Sequence, residues 1–239
     1  MTVTAQHLFE VCDETWPAAR RWVQDPWVFR DGQGGGQRVS AATATRPAKV
    51  EDVTAAEQVM RGIGQAPLFM IREEQPELDA LLAARGYRIK DPVVMHALPI
   101  AGLTDVALPR VTAFCIWEPL AIMTEIWAAG GVGPARLAVM ARAREKTAIL
   151  ARWNEKPAGT GFAAIHDGVC MVHAVEVLEH QRRQGVAQWI MRAAAHWAAK
   201  RGAQTMSVLC TVENVAANRL YSGLGFVPVG RYHYRTQGE

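Results

Sequence analysis

The chain has 239 residues, 50% hydrophobic and 21% charged, an ordinary balance for a globular protein of one large or two small domains. A net charge of +3 with neutral His, and no dense Lys/Arg block, argue against a nucleic-acid partner. No uninterrupted apolar run reaches the ~20 residues that span a bilayer, and no basic segment followed by an apolar core opens the chain, so neither a membrane association nor a signal peptide is expected and a cytoplasmic location is.

Cys12, Cys115, Cys170 and Cys210 stand far apart, without metal-ligand or C-x-x-C spacing. They read as reduced, small apolar residues, and no metal is expected. Residues 1–26 read as helix-rich, with Pro17 at a first helical position. Trp27–Arg30 and Arg38–Thr45 read as short strands. The glycine run from Asp31 to Gln37 lies between strand-like segments and opens no helix, so it reads as a flexible hairpin loop, not a phosphate loop. Asp52 is the expected cap of a helix to about Arg61.

Leu68–Ile71 reads as a strand and Leu78–Arg85 as a short helix. Gly86-Tyr87 follows, then a strand through Val93 to Leu98. The C-terminal part repeats this order: a strand 205–212, a helix near 216–223, Gly225-Phe226 and a last strand. Placing Gly86 on Gly225 puts Leu82 on Tyr221 and Gln75 on Asn214, a pattern of two related halves; an unrelated N-terminal α+β domain is the rival reading. Pro99–Pro109 is the candidate linker. Arg110–Ile116 reads as a strand and 119–128 and 135–144 as helices broken by Gly130-Gly131-Val132-Gly133-Pro134. Thr147–Trp153 and Gly159–Ile165 read as strands, and His166-Asp167-Gly168 as a tight turn.

The stretch Met171–Gly202 organises the rest. Met171–Val177 suits a buried strand. From Val186 the apolar positions Val186, Ile190, Ala193 and Trp197 follow a helical period, and Gly202 stops the helix. Arg182, Arg183, Gln184, Gly185, Val186 and Ala187 form the junction. A helix N-terminus carries unpaired N–H groups and a positive dipole end. Gly185 and Ala187 let an anion approach that backbone, so the expected ligand is a phosphate or pyrophosphate.

Arg182-x-x-Gly185-x-Ala187 after a strand resembles the (Arg/Gln)-x-x-Gly-x-(Gly/Ala) acetyl-CoA loop of the GNAT N-acetyltransferases. Asn214, Ala217, Asn218, Leu220, Tyr221, Leu224, Gly225 and Phe226 look like the family's C-terminal signature. The resemblance covers roughly residues 109–235. It implies an α/β fold with a mixed, mostly antiparallel sheet flanked by helices, built here as two GNAT-like halves. Residues 1–103 are then a degenerate domain, structural or shaping the substrate side, and 104–239 the catalytic one. It also implies an acyltransferase, moving groups other than amino-acyl, that carries acetyl from acetyl-CoA to a primary amine of a small molecule or peptide.

In that likeness the backbone of Val175 and Val177 pairs with pantetheine, and Asn214 and Asn218 suit contacts along the CoA arm. Tyr221 stands at the usual general-acid position; a phenol is protonated at neutral pH and can donate to a departing thiolate. Glu176 is the preferred base, acting through water, with a buried and partnered Glu as the alternative. His173 is three residues earlier, so strand alternation sends the two side chains to opposite faces unless a bulge intervenes. Trp117, Glu118, Trp127 and Arg136 are candidates to line the acceptor site, with packing the plainer role for each tryptophan. The aromatics of 227–234 either border the acceptor pocket or cover the sheet edge. Another acyl-CoA donor, or a non-catalytic acyl-CoA sensor or assembly module, are the other functional readings. Oligomeric state is open, a homodimer included.

Overall fold

The structure, a computed structural model, describes residues 3–237. Helix α1 (Ala5–Thr15) is capped by the Thr4 side chain, which accepts from the His7 N–H. It ends before Pro17, which therefore terminates a helix and does not start one. A hairpin follows, β1 (Arg20–Gln24) and β2 (Trp27–Asp31). The expected strand from Arg38 to Thr45 is instead a 3-10 turn (Gln37–Val39) and the two-residue strand β3 (Thr43–Ala44). Next come α2 (Val50–Gly62), β4 (Leu68–Arg72), α3 (Pro76–Ala84), β5 (Arg88–Pro99) and α4 (Ala101–Thr104). Asp52 sits three residues beyond the N-cap, which is Lys49, and accepts the Lys49 N–H at 2.8 Å, the back-bond of a capping box.

The second half runs β6 (Ala113–Ile116), α5 (Ala121–Ala129), α6 (Pro134–Arg142), β7 (Glu145–Trp153), β8 (Lys156–His166) and β9 (Val169–Val177). A short 3-10 turn leads to α7 (Val186–Ala199), β10 (Thr205–Thr211), α8 (Val215–Gly223) and β11 (Val227–Thr236). The turn between β8 and β9 has positive φ at both Asp167 and Gly168, as a two-residue hairpin requires.

The strands form a three-stranded sheet, β1-β2-β3, and an eight-stranded sheet in the order β4-β11-β5-β10-β9-β8-β7-β6. A single parallel bridge, Ala42 to Phe69, joins the two. In the large sheet only β9 and β10 run parallel. It is a mixed, mostly antiparallel sheet with helices packed on it. On one face α7 buries Val186, Ile190, Ala193, Ala194 and Trp197 against strand residues such as Ile149 and Val208. Elsewhere Trp127 and Met123 of α5 and Val139 of α6 cover Phe162, with Trp16 in the same cluster. Fully burying one such large apolar side chain contributes about 1.5–3 kcal/mol, so these clusters hold the helices to the sheet without help from propensity.

The strand order carries a pseudo-twofold pattern. β11 lies between β4 and β5, and β5 lies between β11 and β10, so the two strand–helix–strand units exchange their last strands. The same sequence offset relates the details. Gln75 and Asn214 are both N-caps. Gly86 and Gly225 both have φ near +85° (83° and 89°). Tyr87 donates its N–H to Leu82 O and Phe226 to Tyr221 O, both at 3.0 Å. Arg235 of β11 reaches Asp79 on α3, while His96 of β5 reaches Asn218 on α8. Residue 103, the expected boundary, falls inside α4, and strands from both sides of it are interleaved.

Candidate active site

The junction before α7 is shaped for close approach. Arg182 to Gly185 are exposed. Arg183 has φ +63° and Gly185 φ +76°, and no side chain caps the helix. A Cβ on Gly185 would meet nothing nearer than Trp189 Nε1 at 4.0 Å. Packing within the protein therefore does not demand a glycine there; the left-handed backbone favours one, and its bare backbone leaves the space above open to a ligand. The N–H groups of the first turn of α7 point into that space without protein partners. Arg182 stands beside them and donates from Nε to Val177 O at 3.3 Å.

From this junction the sheet opens inward. β9 and β10 pair only from Val169–Thr205 to Val172–Val208, although β9 continues to Val177 and β10 to Thr211. Leu178 donates its N–H to Ala158 O, on the β8 side. By alternation the backbone groups of Val177 and Val175 face the other way, into the gap. An extended amide-bearing arm fits such an edge, where a ligand could supply the missing strand contacts.

A bulge in β9 alters the side-chain faces. Phe162 pairs with His173 and Thr160 with Glu176, so three residues of β9 span two of β8, and Ala174 takes φ +48°. Phe162 and Thr160 share one face of β8, and their partners His173 and Glu176 do too. The expectation of opposite faces gives way to the bulge. Trp127, fully buried, donates its indole N–H to Ala174 O at 2.8 Å and so clamps the bulge.

His173 is buried and held at both nitrogens. A guanidinium can only donate, so Arg38 Nη1, 2.8 Å away, donates to Nδ1. Nε2 then carries the proton and donates to Thr15 Oγ1 at 3.0 Å, and Thr15 donates to Val11 O. Burial first, and then the Arg38 charge, hold the imidazole well below its ordinary pKa, so it is neutral. Glu176 is half-buried under Gly130. Desolvation raises its pKa, with Arg182 and then Arg136 pulling it back.

Tyr221 is 7% exposed and packs edge-on against Phe226, with His96 nearby. Burial raises its pKa, and Cys210 and Glu176 add to the rise. Its hydroxyl has no hydrogen-bond partner among the described residues, yet it is not among the sealed polar atoms, so it faces reachable space. Asn214 accepts the Ala217 N–H and caps α8. Asn218 donates to Thr211 O and Asn214 O, both at 2.9 Å, and its Oδ1 meets His96 Nε2. The Asn218 amide thereby ties α8, which carries Tyr221, to the end of β10, while Asn214 caps the helix.

In front of the gap lies a cavity of about 280 Å³. Ala174 and Glu176 of β9, Thr211 of β10, Arg136 of α6, Tyr232 and Tyr234 of β11, and Trp16, Gly36, Arg38 and Asp91 from the first half all line it.

Residues 118–226 match the acetyltransferase (GNAT) family. These residues, just under half of the chain, carry the GNAT likeness. An uncharacterized N-acetyltransferase, YobR of Bacillus subtilis (strain 168), is 32% identical over 77 residues, which span 32% of this chain and 31% of that protein. A GCN5-related N-acetyltransferase from Kribbella flavida superposes over 100% of this chain and 97% of its own, with TM-score 0.72 and 23% identity. A tandem GNAT protein from the clavulanic acid biosynthesis pathway covers 89% of this chain and 78% of its own, with TM-score 0.58 and 13% identity. At these identities the two structures share the fold.

Glu176, the 182–187 junction, Asn214, Asn218 and Tyr221 all lie within the matched residues. Trp16, Gly36, Arg38 and Asp91 lie outside them and were not singled out from sequence as site residues. The glycine run does connect two paired strands, β2 and β3. In the fold it presses on α6: a Cβ on Gly35 would lie 2.5 Å from Val139 Cγ2. Of the acceptor candidates Arg136 lines the cavity. Trp127 is packed under the bulge, and Trp117 and Glu118 are exposed elsewhere. Among the described residues no group of three or more His, Cys, Asp or Glu is placed to hold a metal ion, and no helix is long and apolar enough to cross a membrane.

Proposed function

We propose that this GNAT acetyltransferase transfers acetyl from acetyl-CoA to a primary amine by direct attack. One observation carries the reading: the β9–β10 gap begins at the open N-terminus of α7 and ends between Glu176 and Tyr221. Backbone N–H groups at 183–187, with Arg182 and Arg183, hold the pyrophosphate. The Val175 and Val177 edge aligns the pantetheine and polarises the thioester carbonyl, the charge-stabilising contribution such donors make. The amine enters from the cavity side. Glu176, directly or through water, takes the ammonium proton; the free amine nitrogen bonds to the carbonyl carbon as the C–S bond breaks; Tyr221 gives its proton to the sulfur, and the nitrogen's surplus proton passes through water to restore Tyr221, leaving amide, CoA thiol and the proton on Glu176. The raised pKa of Glu176 improves it as a base, and the raised pKa of Tyr221 keeps it protonated until the thiolate needs it.

In this reading residues 104–239 are the catalytic domain. Residues 1–103 are a degenerate GNAT-like half that lacks the Arg-x-x-Gly-x-Ala junction and has Leu82 where the other half has Tyr221. The shared offset of caps, glycines and cross-contacts supports this, and the first half serves by completing the acceptor cavity. The test is Tyr221→Phe. CoA thiol release with an amine panel should fall by 10²- to 10⁴-fold, the usual worth of a general acid, while acetyl-CoA binding by calorimetry stays within about twofold. Equal turnover by the variant would remove Tyr221 from the reaction.

A further inference from the structure

Arg38 is a charged side chain of the cavity that transfer from acetyl-CoA does not itself use. Its guanidinium lies 5.0 Å from the Trp16 ring centroid and donates to His173 Nδ1. The Cys12 thiol, Tyr232 and Tyr234 stand near it. All of these neighbours are neutral at pH 7. Among the described residues no carboxylate lies within 4 Å of it, not even the cavity's own Asp91 and Glu176. One of its five N–H groups is engaged, in the bond to His173. The others are not among the sealed unpartnered atoms, so they reach the cavity.

A guanidinium held in a neutral wall, away from its usual counter-ions, costs desolvation that only an anion repays well. A carboxylate is the group whose geometry the planar fork fits with two parallel hydrogen bonds. His173 does not compete for a proton there, because burial first, and then the Arg38 charge, hold it neutral. Arg136 stands across the same cavity, its Nε and Nη2 within 3.7 Å of where a Cβ on Gly36 would lie, and adds positive charge. Glu176 and Asp91 are the carboxylates of the cavity lining, and Glu176, on β9 beside the gap, favours an ammonium there.

Resting on the transfer reading above, we infer that the acceptor is a small amine that also bears a carboxylate, with the carboxylate on Arg38 and the amine toward Glu176. The experiment pairs each common L-amino acid with its methyl ester and follows CoA thiol release. An ester's amine is less basic, so more of it is free at neutral pH; without a carboxylate site the ester would be the better substrate. The wild type should prefer the acid of at least one pair by tenfold or more in kcat/KM, mostly through KM. Arg38→Met should level that preference and Arg38→Lys keep part of it, with acetyl-CoA affinity unchanged in both. If Arg38→Met melts early, the wild-type pairs and Arg38→Lys decide. Esters turned over as well as acids, a preference that survives Arg38→Met, or no amino acid turned over while acetyl-CoA binds would each overturn the inference. Failure of the wild type to bind acetyl-CoA would instead remove the transfer reading.

Discussion

Gly130→Ala should leave a stable, slow enzyme. Gly130 closes α5 with φ −86°, a conformation alanine adopts freely, so the change should alter stability by no more than about 1 kcal/mol, if anything upward. The added methyl is the perturbation. Its carbon would stand 2.4 Å from Glu176 Cδ, 2.5 Å from Oε2 and 2.8 Å from Cγ. Ordinary carbon contacts begin near ~3.5 Å, so the carboxylate must retreat by about 1 Å. It is the far end of a flexible side chain and can do so without disturbing the sheet. A displacement of that size at a reacting group costs up to ~10²-fold; the expected fall in kcat for CoA release is about 10- to 100-fold. Acetyl-CoA affinity by calorimetry should not move, since the methyl is not at the α7 junction. In a double-mutant cycle, Gly130→Ala should add nothing to Glu176→Gln, because both act through one carboxylate. Turnover within about twofold of wild type, or full multiplication of the two single effects, would refute the placement of Glu176 as base.

Glu176 also sets a pH dependence. Its folded pKa is raised, chiefly by desolvation, so the ascending limb of kcat/KM should lie above the ordinary carboxylate value of about 4.3, and Glu176→Gln should flatten it. For stability, a raised carboxylate pKa means the fold binds that proton more tightly than the unfolded chain. Stability is then lost as pH rises through the folded value, and Glu176→Gln should raise the melting temperature at pH 7 while lowering turnover; a lower melting temperature would contradict this. Asp79 works in the opposite sense. Arg235 grips it at 2.7 and 2.9 Å and His233 at 2.7 Å, and the Arg235 hydrogen bonds come first among the causes that depress its pKa. Asp79→Ala should cost about 2–3 kcal/mol in urea unfolding at pH 7 by stranding Arg235. That difference should shrink as pH falls below about 4 and through the depressed folded value; a constant difference would rule out the ion pair as its source.

The parts of the fold that show in the sequence are those with clean local periods. Apolar spacing from Val186 marks α7, branched residues mark β9, and Asp167-Gly168 supplies the positive-φ pair its hairpin needs. β1 is exposed along both faces, so it has no alternation to read. Pro17 suits a helix start as well as a helix stop, and the chain uses the stop. The bulge is invisible because Ala174, not glycine, takes the positive φ, clamped by Trp127 from a helix far away in sequence. For the candidate site, the Gly185 junction shows as a strand–glycine–helix pattern, while Glu176 and Tyr221 are pointed to by the GNAT likeness. Arg38 shows in neither way: its meeting with His173 joins residues 135 positions apart, and no local pattern announces it. The repeat of Gln75 on Asn214 is faint in residue identity because the two halves keep shared caps and turns while their side chains differ.

The measurement that bears most directly on the account is calorimetric titration of acetyl-CoA into the wild type and Gly185→Val. The space above Gly185 is open to a side chain, so a valine there should fold, at a local strain of about 1–2 kcal/mol, while blocking the backbone's approach to the pyrophosphate. The account predicts saturable binding by the wild type and a loss of tenfold or more in a variant whose melting curve remains cooperative. Equal binding by both would move the pyrophosphate away from the α7 junction, and binding by neither would contradict transfer from acetyl-CoA altogether.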